Sequence, residues 1–209
     1  MFVYSPENVL PERIREAKKI LQKIPYKHAF ITGSFLYQKE YKDIDVFILS
    51  KTKKQEITGL EGYDVHFLDF NQTSSLFFHS LTKRCVSKSV LPITKIRVRL
   101  SDYWELLNQV LTPIAGDVDI NKEARMAVLY THYLLYKEVP DSLTLKKYFF
   151  KNYSSLADFL FLQAPKIFQK HMAYSYLKRF FYSRTRHYEE AEPIIHELIK
   201  EIISRKASS

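Results

Sequence analysis

The chain has 209 residues, 46% of them hydrophobic and 26% charged, which excludes a disordered segment and allows one large domain or two small ones. Its formal charge of +9 comes from 32 Lys+Arg against 23 Asp+Glu. Four glycines and the single Cys85 exclude Gly-rich phosphate loops and a disulfide framework.

The positive charge is uneven. Residues 1–100 carry 17 Lys+Arg against 10 Asp+Glu, and the remainder 15 against 13. An excess of that kind suits a polyanionic ligand such as a nucleotide or RNA, and suits solubility equally well. The N-terminus shows neither a charged start nor an apolar run, so no signal peptide is expected. The strongest apolar stretch, 156–162, is interrupted by Asp158 and is too short for a membrane span. A soluble, cytoplasmic protein with no membrane partner is the expectation.

In chain order, Pro11 opens a helix whose Ile14, Ala17, Leu21 and Ile24 share one stripe, and Pro25 ends it. Residues 27–32 read as a strand that breaks at Gly33-Ser34 into a short helix over 34–41. A second strand covers 44–50, a Lys-rich connection 51–62, a third strand 63–70 and a helix 72–84. Residues 94–100 alternate Ile96, Val98 and Leu100 with Lys95, Arg97 and Arg99, the pattern of a strand with a basic face. Beyond residue 100 apolar spacing of three and four predicts helices at 103–111, 122–136, 143–150, 155–162 and 165–182, with a last stripe from Ile194 to Ile203. Strands followed by helices predict an α+β chain, with residues 1–100 holding a mixed β-sheet with flanking helices and 101–209 an all-helical domain.

The chemistry concentrates in Thr32-Gly33-Ser34 and Asp43-Ile44-Asp45. Gly33 and Ser34 stand where a strand meets a helix start, so their backbone N–H groups and the Ser34 hydroxyl could cradle a phosphate; the plainer role is a turn and a cap. Asp43 and Asp45, two residues apart in a strand, share one face, with Ile44, Val46 and Ile48 turned to a core. Charged residues in such a strand call for a partner, and a divalent cation pair supplies one. Arg97 and Arg99 are candidate phosphate contacts, with Lys83, Arg84 and Lys88 beside them; a solvated surface charge is the ordinary role of each. Residues 174–188 interleave basic and aromatic side chains, a pattern seen in single-strand binding and in ordinary helix packing alike. His28 and His66, each in a predicted strand, are expected to be structural.

Gly-Ser, a short spacer and Asp-x-Asp in an apolar strand resemble the signature of the nucleotidyltransferase fold, the superfamily of DNA polymerase beta and the minimal nucleotidyltransferases. The resemblance covers about residues 25–70. It extends to Gly62-Tyr63-Asp64-Val65-His66, where Asp64 matches the family's last metal-associated acid. This chain departs in having Lys42 before Asp43 and no Gly in the spacer 35–42. The resemblance implies Asp43, Asp45 and Asp64 as catalytic and metal ligands for Mg²⁺ or Mn²⁺, with Asp64 nearest the acceptor. It implies an NTP donor, ATP foremost, and transfer of its nucleoside monophosphate to a hydroxyl of an RNA such as tRNA, a protein or a small molecule, with release of pyrophosphate. Binding without turnover, or membership of a toxin–antitoxin pair with a small helical protein partner, are the alternatives. The spacing of Arg125 and His132 resembles the ribonuclease motif of HEPN proteins, but Met126 stands where that motif carries a polar residue, so no ribonuclease is expected.

Overall fold

The computed structural model describes residues 1–51, 60–110 and 119–170. Most of the 51–62 connection, the later part of the helix expected at 165–182, the 174–188 segment and the Ile194–Ile203 stripe lie outside them. The chain is mixed α+β. It divides into two compact units: Met1–Val98 with Val139–Thr144, and Arg99–Glu138 with the residues from Leu145 onward. No helix among the described residues is long and apolar enough to cross a membrane.

The first unit is built on a five-stranded mixed sheet. Its strands are β1 (Phe2–Val3), β2 (Ala29–Thr32), β3 (Asp45–Leu49), β4 (Asp64–Leu68) and β5 (Val86–Ser87), in the spatial order β1-β5-β2-β3-β4. β2 and β3 are antiparallel, with Thr32 opposite Asp45, while β3 and β4 are parallel, with Asp45 opposite Asp64.

Strand alternation divides the apolar side chains into two cores. On one face Ala29, Ile31, Val46, Ile48 and Val86 pack with Ala17, Ile20, Leu21 and Ile24 of helix α1 (Pro11–Lys23). Ile44 joins this core from just before β3, as its expected direction requires. On the other face Phe30, Phe47, Leu49 and Leu68 pack with Phe78 of helix α2 (Leu76–Thr82), Cys85 and Leu91. Phe30 and Phe47 stack with centroids 5.3 Å apart, and Phe78 meets Phe30 edge-on at 5.9 Å. Truncating a fully buried ring such as Phe30 costs about 3–5 kcal/mol in comparable cores.

Several local expectations are corrected. The helix expected over 34–41 is a single 3-10 turn, Ser34–Leu36. Phe35 and Leu36 are already fully buried, and a further turn would add only the polar run Gln38, Lys39 and Glu40. The helix over 72–84 is instead a 3-10 turn, Phe70–Ser74, followed by α2. The break falls at Ser75, whose hydroxyl accepts the Phe78 N–H at 3.1 Å.

Residues 94–100 form no strand. Lys95, Arg97 and Arg99 are exposed and Ile96, Val98 and Leu100 half-buried, so the alternation is real. It reflects burial alone: the segment joins no ladder, and the Arg97 N–H donates to the Ser74 carbonyl. β1 and β5, of two residues each, are too short to leave a pattern in sequence.

The second unit contains helices α3 (Leu100–Val110), α4 (Ile120–Tyr136) and α6 (Tyr153–Lys170); the five-residue α5 (Ser142–Lys146) straddles the division between units. The two helices expected at 155–162 and 165–182 meet in α6, which runs through Pro165. Tyr103 of α3 is fully buried, and its hydroxyl hydrogen-bonds Thr131 of α4 at 2.9 Å. Asn121 bonds both the N–H and the carbonyl of Phe150. His132 Nδ1 lies 2.7 Å from the Tyr148 hydroxyl, a packing contact within this unit.

Candidate metal centre

Three side chains converge at one end of the β3–β4 pair. Asp45 and Asp64 each open their strand and stand opposite one another in the parallel register. His66 follows Asp64 by two residues, so it projects from the same sheet face. Its ring stacks on Phe47, its own register partner, with centroids 4.7 Å apart and planes 24° apart. That contact directs Nε2 toward the carboxylates: it lies 3.5 Å from Asp45 Oδ1 and 3.4 Å from Asp64 Oδ2.

Ligand atoms of Asp45, Asp64 and His66 all lie within 4.8 Å of one another. Their side chains are 31%, 57% and 40% exposed, so the cluster is a rim site rather than a sealed cavity. Burial holds the Asp45 carboxyl above its ordinary range; the charge of Asp43 adds to this, His66 opposes it, and Asp64 raises it further. Such a carboxylate is short of positive charge, and a divalent cation relieves it. The donor set, two carboxylate oxygens and one imidazole nitrogen, suits a borderline divalent ion such as Mn²⁺. Mg²⁺ favours oxygen donors and water throughout.

Gly33 shapes the neighbouring wall. It follows Thr32, the residue across from Asp45, and adopts φ +90°, a left-handed conformation that favours glycine. A β-carbon at Gly33 would sit 2.6 Å from Asp45 Oδ2. Its backbone therefore touches the carboxylate directly. Ser34 begins the 3-10 turn, and its carbonyl accepts the N–H groups of Tyr37 and Gln38. A three-residue turn has little macrodipole, so the phosphate cradle expected from a helix start at Gly33-Ser34 is reduced to local backbone and hydroxyl groups.

The remaining candidates are distributed as follows. Asp43 is exposed and precedes β3, close enough to raise Asp45 but outside the three-residue cluster. Arg97 is exposed on the extended segment of the first unit, and Arg99 is exposed at the start of the second. Lys88 donates to the Ile24 carbonyl at the end of α1, and Lys83 to the Val139 carbonyl. Asp69, the other acid near β4, caps the Phe70–Ser74 turn by accepting the Asn71 N–H at 2.7 Å.

His66 is the residue that sequence reasoning set aside as structural. The signal was present in Asp64-x-His66, whose spacing puts both side chains on one face of a strand. Its value depended on knowing that β4 runs parallel beside β3 with Asp45 opposite Asp64. No family model, curated protein or solved structure matches this chain.

Proposed function

We propose that the first unit is a nucleotidyltransferase-type domain that binds an NTP, ATP foremost, together with Mn²⁺ or Mg²⁺. The observation that carries this reading is the pairing of Asp45 with Asp64 across parallel strands, beside a glycine whose backbone touches the Asp45 carboxylate. Asp45, Asp64 and His66 would hold the cation. When bound, the cation neutralises carboxylate and phosphate charge at the site.

The chain's own residues do the rest. The open backbone at Gly33 lets a phosphate approach without a side chain in the way, and the Ser34 hydroxyl is a donor to it. Asp64, the more exposed acid, takes the proton of an acceptor hydroxyl as that oxygen bonds to the α-phosphorus. The bond from the α-phosphorus to the bridging oxygen breaks, and pyrophosphate leaves. The acceptor in this reading is an RNA, a protein or a small molecule bearing a free hydroxyl.

A second reading, nucleotide binding without turnover, is favoured by the place of Asp43 outside the cluster, since the remaining acids accommodate one cation rather than two. One experiment separates them. The protein is incubated with α-labelled NTPs, Mn²⁺, and pools of RNA and protein acceptors, with Asp45→Asn in parallel. Transfer of label that depends on Asp45 supports the transferase. A metal-dependent rise in melting temperature with an NTP, with neither label transfer nor pyrophosphate, supports binding alone. Absence of both rejects the nucleotide reading.

A further inference from the structure

Arg84 follows α2 and is 7% exposed. Of its guanidinium donors, Nη2 donates to Asp141 Oδ2 at 2.5 Å, while Nε and Nη1 are inaccessible to solvent and have no hydrogen-bond partner. Leaving buried donors of a charged group unfilled is costly, and a guanidinium that served only to close an ion pair would do better with a two-pronged contact.

Its surroundings point toward the candidate metal centre. The Arg84 carbonyl accepts the Thr32 hydroxyl at 2.8 Å, and Thr32 lies opposite Asp45. The guanidinium carbon lies 5.5 Å from the centroid of the Tyr37 ring, and Tyr37 closes the turn that starts at Ser34. The buried cation thus stands against the segment that begins at Gly33.

The shape of the group adds a constraint. A guanidinium offers an oxyanion two forked edges, Nε with Nη2 and Nη1 with Nη2. Each uses Nη2, the donor that Asp141 occupies. An oxyanion that fills either unused donor in a fork must therefore compete with the Asp141 carboxylate. Asp141 belongs to Val139–Thr144, a six-residue piece of the first unit that stands in sequence between two parts of the second. Its other polar ties to the α2 end are the Ser80 hydroxyl to the Pro140 carbonyl and Lys83 to the Val139 carbonyl, both at 2.6 Å.

We propose that Arg84 is a phosphate-receiving residue for which Asp141 is the built-in competitor: a phosphate group takes the Nη2 fork as the Asp141 carboxylate withdraws. This rests on the nucleotide reading above for the identity of the anion, and it adds a residue and a displacement to that reading. Arg84 then binds phosphate and releases the Val139–Thr144 segment in one event.

The test titrates tripolyphosphate, and separately Mn²⁺ alone, into the full chain, Asp141→Asn and Arg84→Lys at one fixed salt concentration, with folding checked by circular dichroism. Removing the competitor is expected to tighten tripolyphosphate several-fold in Asp141→Asn. Arg84→Lys keeps the charge but loses the planar fork, and is expected to weaken it about tenfold. Both variants are expected to keep the Mn²⁺ affinity of the parent chain. Unchanged or weaker tripolyphosphate binding in Asp141→Asn overturns the proposal. So does parent-like binding in Arg84→Lys, which would mean the general positive charge holds the anion. If Arg84→Lys does not fold, Asp141→Asn decides alone. Failure of the parent chain to bind Mn²⁺ would count against the metal centre and leave the Arg84 result to stand or fall by itself.

Discussion

The α-carbon of Gly33 lies against the carboxylate of Asp45, so close that a methyl group there would sit 2.6 Å from Oδ2. Two constraints coincide at this point: the φ of +90° and the absence of room. Gly33→Ala is expected to cost about 1–2 kcal/mol for the left-handed backbone. The displaced carboxylate should also weaken Mn²⁺ binding. Thermal unfolding with and without Mn²⁺ checks both effects. A variant with parent-like Mn²⁺ affinity would show that this contact does not position Asp45.

Asp45 is expected to be a stability burden that metal binding removes. Its carboxyl is held above the ordinary value of 3.8, by burial first and Asp43 next, so the ionised form is penalised in the folded chain. That penalty is full above the raised value and is lifted as pH falls through it toward 3.8. Metal-free protein should therefore gain stability on mild acidification through that window, and Asp45→Asn should not share the gain. At neutral pH without metal, Asp45→Asn should be more stable by about 0.5 kcal/mol. Mn²⁺ should raise the melting temperature of the parent only. Denaturant titrations across the pH range, repeated with Mn²⁺, measure this.

His66 is expected to be a ligand rather than a packing residue. His66→Phe keeps a ring to stack on Phe47 but removes Nε2. Loss of even outer partners of metal sites costs about 10–100-fold in affinity, and a ligand should cost at least as much. Stability without metal should change little. Mn²⁺ titration followed by electron paramagnetic resonance gives the answer, and unchanged affinity would remove His66 from the centre.

Asp141 is expected to stabilise the first unit in a pH-dependent way. Burial acts to raise its carboxyl, but the backbone N–H and hydroxyl of Thr144, with the charges of Arg84 and Lys83, more than offset it and hold the group below its ordinary 3.8. Stability from such a group is fully present above the ordinary value and is lost as pH falls through the lowered one. Breaking a buried pair by removing one partner costs about 3–5 kcal/mol, and Asp141→Asn should show a loss near the lower end at pH 7. The gap to the parent should close as the medium is acidified below about pH 4. A pH-independent gap would mean that the Asn loses packing and not charge.

The legible parts of this chain are those in which one local pattern answers to one physical demand. The α1 stripe and the alternation around Val46 and Ile48 report a buried face, and the structure buries those residues. The same logic misleads where burial and hydrogen bonding part company. Ile96, Val98 and Leu100 alternate as a strand would, yet the segment meets no sheet edge. Over 34–41 the apolar residues Phe35 and Leu36 are used up in one turn.

The sequence by itself determined the α+β composition, the two-sided burial of β3 and the presence of acids at the starts of β3 and β4, because periodicity and charge are local properties. Only the tertiary structure decided which groups meet. The parallel register of β3 and β4 set Asp45 against Asp64, drew in His66 and left Asp43 outside. The docking of Val139–Thr144 set Asp141 on Arg84 across 57 residues of chain. Such pairings rest on strand order and long-range packing, which no short window of residues contains.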